Sequence, residues 1–232
     1  MRTVTTYVDN RGILDDLDVR ASDLLQANGV VWVEGPSDRL YFNRWMELVS
    51  GGQIREGAHY QCVFYGGKLL AHLSGVEPNV GANEAVKIFE VNRNAIVILD
   101  SDKRESGQAL NETKRRIIFE IEEMGDMAWV TAGREVENYL PVNALESLYS
   151  VDSLPPLEPF ADIAAHLDKI EDEAGAKYLR NKVLFAGKII PHITRDDLQV
   201  LDLEDKIAEA HQRILEWNHA SRNEDTSVLT GG

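Results

Sequence analysis

The residues best placed to do chemistry in this chain are carboxylates that follow short apolar runs. Ala95-Ile96-Val97-Ile98-Leu99 is such a run, and it ends in Asp100-Ser101-Asp102. Apolar, largely β-branched stretches of this length read as strands buried on both faces. The two aspartates then sit at the C-terminal tip, where open α/β sheets place their ligand sites. On an extended segment, side chains two apart point to the same side, roughly 6–7 Å from each other. Asp100 and Asp102 so placed can share a divalent cation or flank a pair of them. Val30-Val31-Trp32-Val33 ends in the same manner, in Glu34-Gly35-Pro36-Ser37-Asp38, and Met127–Thr131 runs on to Gly133-Arg134-Glu135-Val136-Glu137. Carboxylates thus gather at equivalent ends of three expected strands.

Each residue has a plainer reading. Asp38 in a first helical turn is commonly a cap, and acidic pairs such as Asp100 and Asp102 make ordinary turns. Glu137 can form a structural ion pair with Arg134, and Lys182 can be one more exposed lysine. The coincidence of several acidic strand ends, in order, carries more than any one of them.

The elements that position these groups follow from periodicity. Expected strands are Val30–Val33, Gln61–Tyr65, Ala95–Leu99 and Met127–Thr131. Ser37 is the expected N-cap of a helix reaching about Val49, with Tyr41, Trp45, Leu48 and Val49 at helical spacing and Ser50-Gly51-Gly52 as its stop. Further helices are expected over Ser22–Asn28, Asn83–Phe89 and Asn111–Met124, the last with Ile117, Ile118, Ile121 and Met124 on its apolar face. Strand and helix alternate, which predicts an α/β fold with a parallel, doubly wound sheet flanked by helices. From Val142 the pattern turns helical: Val142–Tyr149, a proline-rich breaker at Leu154–Pro159, helical spacing through Phe160–Leu184, and a last helix over Leu203–Trp217. The expected organisation is an entry segment at 1–20 arriving from an upstream region, a core at 21–141, a mainly helical region at 142–220 that completes the domain, and a disordered tail at 221–232.

With 232 residues and 44% hydrophobic content, the chain can bury one full core. No apolar run approaches the roughly 20 residues of a membrane span, and the Met1-Arg2-Thr3 start lacks a signal-peptide stretch, so a cytoplasmic protein without a membrane partner is expected. The single cysteine, Cys62, reads as a buried thiol in a strand. A net charge of −15 argues against sequence-independent nucleic-acid binding by the bare surface. Bound divalent cations would invert the field locally, and basic clusters occur at Lys103-Arg104, Lys114-Arg115-Arg116 and Arg180–Lys188. Each cluster taken singly reads as a solvated helix face. Gly66-Gly67-Lys68 lacks the rest of a phosphate-loop pattern; Lys68 is either a phosphodiester contact or a solvated lysine in a glycine turn.

Val33-Glu34-Gly35 and Asp100-Ser101-Asp102, about 65 residues apart at the ends of two buried strands, together with the intervening glycine turn, resemble the Toprim domain of topoisomerases, bacterial primases and certain nucleases. Val33-Glu34-Gly35-Pro36-Ser37-Asp38, Gly66-Gly67-Lys68, Arg134-Glu135-Val136-Glu137-Asn138-Tyr139-Leu140 and Lys182-Val183-Leu184-Phe185-Ala186 look like the Toprim nuclease part of the OLD family, the "overcoming lysogenization defect" endonucleases. The resemblance covers about residues 20–190 and implies a metal-dependent endonuclease that nicks and cleaves duplex DNA, with an ABC-type ATPase domain upstream. It implies Glu34 and Asp38 as the first acidic pair, Asp100 and Asp102 as the second, Glu137 as a later carboxylate with Glu135 as its alternative, and Lys182 as the basic residue with Lys188 as its alternative.

Phosphodiester hydrolysis then calls for two Mg²⁺ ions about 3.5–4 Å apart, because hard oxygen donors without His or Cys favour Mg²⁺, with Mn²⁺ as a substitute. Glu34 is assigned to the centre, Asp38 and Glu137 to one cation, and Asp100 and Asp102, with a Ser101 oxygen, to the other. Lys182 supplies positive charge to the transition state, and Lys68, Lys103, Arg134 and Lys188 are candidate substrate contacts. A non-catalytic Toprim scaffold and an RNA-processing nuclease of the same fold are the alternatives. Topoisomerase action needs a tyrosine nucleophile in a separate domain, for which there is no room, and primase modules are not found.

Overall fold

A computed structural model describes residues 28–66 and 94–229, with side chains as far as His219. Four strands, β1 (Val30–Val33), β2 (Gln61–Phe64), β3 (Ala95–Leu99) and β4 (Met127–Val130), form one sheet in the order β2-β1-β3-β4. Every pairing is parallel, with Val31 beside Cys62 and Ile96, and Val97 beside Ala128. The two central strands are buried at every position, which is why they read as unbroken apolar runs; of the edge strands, β4 alternates and β2 is half-buried at both ends. Seven α-helices among the described residues flank the sheet: α1 (Pro36–Ser50), α2 (Glu112–Glu123), α3 (Val142–Tyr149), α4 (Ile163–Leu167), α5 (Ala174–Arg180), α6 (Lys182–Ile189) and α7 (Leu203–Leu229). The chain is therefore α/β with a parallel sheet and a helical C-terminal region, an architecture consistent with a Toprim-like fold.

Helix α1 brings large aromatic side chains into the core. Tyr41, Phe42, Trp45 and Met46 are buried, and the Trp45 ring lies 6.0 Å from Trp129 on β4 and 5.7 Å, edge to face, from Tyr139. Helix α7 closes this layer with Leu203, Ile207, Ala210 and Ile214, all fully buried and spaced to keep one stripe inward.

Several boundaries differ from expectation. The N-cap of α1 is Gly35 rather than Ser37, because Pro36 takes the first helical position, where its missing N–H costs nothing. The helix stops at Gly51 in the left-handed region (φ 61°), as the glycine pair implies. The Phe160–Leu184 stretch is three helices. Asn181 ends α5 and begins α6, its side-chain oxygen accepting the Leu184 N–H at 2.9 Å. Helix α7 continues past Trp217 to Leu229, taking in much of the segment expected to be disordered, because neither Gly nor Pro interrupts it. Cys62 is 6% exposed, and burial pushes its thiol pKa well up, as befits an inert thiol. The entry segment 1–20, all but the end of the Ser22–Asn28 helix, Asn83–Phe89 and Lys68 lie outside the described residues. Among the described residues no helix is long and apolar enough to cross a membrane.

Candidate active site

The strand order sends the chain from β1 outward to β2 on one side and from β3 to β4 on the other, so the crevice at the C-terminal ends of β1 and β3 is the sheet's switch point. Glu34 follows β1 and Asp100 follows β3 at that crevice. Asp38 joins them from the first turn of α1, where it is buried. Its carboxylate accepts the Gly35 N–H at 2.9 Å and the Ser37 hydroxyl at 3.2 Å. Asp38 is thus a cap as well as a site residue.

A set of backbone clasps fixes the loop after β4 against the tip of β3. The Ser101 N–H donates to Thr131 Oγ1 at 2.9 Å, Ser101 Oγ donates to the Gly133 carbonyl at 2.6 Å, and the Asp102 N–H donates to the Arg134 carbonyl at 2.9 Å. Gly133 must be glycine here: an added Cβ would lie 2.5 Å from that of Asn138 and 2.8 Å from the Pro159 carbonyl. The loop then enters a short 3₁₀ turn, Val136–Tyr139, held by Asn138, which accepts the Glu135 N–H and donates to the Glu158 and Ala161 carbonyls. This turn aims the Val136 N–H at Asp100 Oδ1, 2.9 Å away, and buries Glu137 to 2% exposure.

Lys182 opens α6 and reaches back to this turn. Its Nζ lies 3.0 Å from Glu135 and 3.6 Å from Glu137, and 5.1 Å from the centre of the Tyr178 ring, a cation–π contact. The Glu135/Glu137 and Lys182/Lys188 alternatives are therefore separated in space. Glu135 holds the ammonium by hydrogen bond, whereas Glu137 Oε1 is buried without a hydrogen-bond partner. Lys188 lines a cavity of about 310 Å³ with Tyr149, Lys177 and Phe185, on a different side of α6 from Lys182.

Electrostatics tie the carboxylates together. Burial raises the Asp100 pKa well above the ordinary aspartate value, and the charges of Asp38, Glu137 and Glu34 raise it further. Burial, then Asp38 and Asp102, raises that of Glu34; burial also raises Asp38 against the lowering hydrogen bonds from Gly35 and Ser37. Glu137 is pushed up to about 7 by burial, with Lys182 pulling the other way. Burial opposes the Lys182 charge, but Glu137 and Glu135 outweigh it and leave its pKa above that of an ordinary lysine. Carboxylates of like charge are thus brought close to one another, with the Gly35, Ser37 and Val136 donors and the Lys182 ammonium as compensation. Among the described residues, no group of three or more His, Cys, Asp or Glu side chains is placed to hold a metal ion as it stands.

Other expected site residues stand elsewhere. Arg134 pairs with Asp162 at 3.1 Å, so the structural Arg134–Glu137 pair is not formed. Ser101 is a clasp, its hydroxyl proton directed to Gly133. Asp102 is not on an extended segment with Asp100: its backbone is left-handed (φ 55°), its side chain is 69% exposed, and the Lys114 ammonium holds its carboxylate. Lys103 is half-buried in the turn beyond, its N–H donating to Ser101 Oγ at 3.2 Å.

Lys114 is the residue that sequence reasoning missed. It is 4% exposed, not part of a solvated face, and its Nζ also donates to the Asp100 carbonyl at 2.6 Å. The signal was its position three before Ile117 and seven before Ile121, on the buried stripe of α2. Tyr41, one turn after Asp38, was read only as core; its hydroxyl is buried beside Glu137, Asp38 and Glu135.

No protein-family model matches this chain, and neither a curated protein nor a solved structure does.

Proposed function

We propose that this chain is a divalent-cation-dependent phosphodiesterase, an endonuclease that hydrolyses DNA. The observation that supports it most is the convergence of Glu34, Asp38, Asp100 and Glu137 at the switch point of a parallel sheet, with a buried Glu137 oxygen lacking a hydrogen bond and the Lys182 ammonium alongside. DNA as substrate and an upstream ATPase as partner come with the resemblance to the OLD nuclease region.

Glu34, Asp38, Asp100 and Glu137 would hold the cation, and their hard oxygens suit Mg²⁺ or Mn²⁺. A cation bound there supplies the positive charge that makes an attacking water acidic and neutralises phosphoryl oxygens. The chain's own groups do the rest. The Val136 N–H orients one Asp100 oxygen, and Glu135 orients Lys182, whose ammonium meets charge developing on the phosphate. A Glu34 oxygen that does not ligate the cation can accept a proton from the attacking water.

Incubation of the purified chain with supercoiled plasmid tests this. Nicked and linear products are expected in Mg²⁺ or Mn²⁺ and none in EDTA. A folded, cation-binding protein that cuts neither DNA nor RNA would instead be a scaffold.

A linked effect on stability is expected. Glu137, at about 7 in the folded state against 4.5 ordinarily, binds more protons folded than unfolded between those values. Its contribution to stability is full below about pH 4.5 and is lost as pH rises through 7. Cation binding displaces that proton, so Mg²⁺ should raise Tm more at pH 8 than at pH 5.5. Equal Mg²⁺-induced shifts at both pH values would contradict this linkage.

A further inference from the structure

A second cation on Asp100, Asp102 and Ser101 is the expectation from sequence, and the structure engages two of those three donors elsewhere. Ser101 Oγ donates to the Gly133 carbonyl at 2.6 Å and accepts the Lys103 N–H at 3.2 Å. Asp102 turns outward on a left-handed backbone, its carboxylate bonded by Lys114. Asp100 alone keeps its carboxylate, half-buried, beside the others.

Lys114 occupies a place that is unfavourable for a lysine. It is the third residue of α2, where the helix dipole opposes a cation, and a buried ammonium needs close partners to be tolerated. Both of its side-chain partners, the Asp100 carbonyl and the Asp102 carboxylate, belong to the single turn that follows β3. One fixed positive charge is thereby fastened to the Asp100–Asp102 turn, against the carboxylate on which a second ion would lie.

We infer that Lys114 stands in for a second cation: the site takes one divalent ion per chain, on Glu34, Asp38, Asp100 and Glu137, while Lys114 holds Asp102 away from it. This rests on the divalent-cation reading above. Lys114 is here a positioning residue, acting through the Asp100–Asp102 turn. The site differs in this from the pair of cations that the Toprim resemblance implies. Asp102 contributes to the turn and to the field at Glu34, not to ligation.

Mn²⁺ titration followed by the electron paramagnetic resonance of free Mn²⁺, with calorimetry alongside, reads the stoichiometry without reference to activity. The wild-type chain is expected to bind one Mn²⁺, and Asp102→Asn, which keeps an acceptor for Lys114, to bind one as well. Lys114→Met releases Asp102 and is expected to bind two. Should Lys114→Met fail to fold, the wild-type and Asp102→Asn stoichiometries decide. Two ions in the wild type, an ion lost in Asp102→Asn, or a folded Lys114→Met that still binds one each overturn the inference and leave the divalent-cation reading standing. A folded wild type that binds no Mn²⁺ overturns both.

Discussion

Asp100→Asn is expected to lose at least about a hundredfold in Mg²⁺-dependent cleavage while unfolding, in EDTA at pH 8, at a higher temperature than the wild type. The two effects have one cause. Asp100 is half-buried beside Asp38, Glu137 and Glu34, and no ammonium bonds its carboxylate; Lys114 bonds only its carbonyl. Without a cation, an ionised Asp100 repels its neighbours and has only part of its ordinary hydration to relieve it. Asparagine removes the charge and retains an oxygen for the Val136 N–H. The gain is on the order of 1–2 kcal/mol, which for a chain of this length is about 2–8 °C in Tm. Asp100→Ala is the control: it also removes the charge but leaves the Val136 N–H unpaired, at a cost of about 1–3 kcal/mol. Thermal melts of the three proteins in EDTA, with cleavage in Mg²⁺, check this. An Asn variant no more stable than the Ala variant would mean that repulsion among these carboxylates is not a feature of the fold.

The features legible in the sequence are those set by burial over a few residues. Val30–Val33 and Ala95–Leu99 are buried on both faces, so nothing but apolar residues fits, and their acidic followers mark the C-terminal tips. Which strand edges pair is a matter of the whole chain, and the switch point between β1 and β3 emerges only with the sheet order. Phe160–Leu184 reads as one helical stretch because α4, α5 and α6 share a period of burial; the break between α5 and α6 depends on one asparagine serving two helix ends.

At the site, the sequence distinguishes residue types but not which way they face. Lys182 and Lys188 are six residues apart on one helix, about 240° around it, and only the position of Glu135 and Tyr178 shows which of them meets the carboxylates. Asp102 looks equivalent to Asp100 until its left-handed backbone turns it outward. Lys114 lies on an apolar stripe that the Ile117 and Ile121 spacing reveals, but its charge, next to Arg115 and Arg116, disguises it as surface. Arg134 matters chiefly through its main chain, which accepts the Asp102 N–H and donates to Pro159, a role no side-chain pattern announces.

Lys182→Ala separates the catalytic from the structural part of this arrangement. Cleavage is expected to fall by about a hundredfold or more, because an ammonium already oriented by Glu135 and Tyr178 is lost from beside the reacting phosphate. Stability should fall too, in a pH-dependent way. Lys182 lowers the Glu137 pKa against burial; without it, that pKa moves above 7 and the buried carboxylate must either take a proton or remain ionised without a counter-charge. The penalty is absent below about pH 4.5, where Glu137 is protonated folded and unfolded alike, and grows as pH rises through neutrality. Because Lys182 is itself 38% exposed, solvent screening holds the loss at pH 8 to about 1–2 kcal/mol. Lys182→Arg retains the charge and should recover most of the stability but less of the rate, since a planar guanidinium cannot place its donors where the ammonium stood. Lys188→Ala, by contrast, changes stability by no more than about 0.5 kcal/mol, as Lys188 is exposed and no ion pair involves it among the described residues. Urea titrations of the three variants from pH 5 to 8, set beside plasmid cleavage, would sink the assignment if the Lys182→Ala penalty were independent of pH or equal to that of Lys188→Ala.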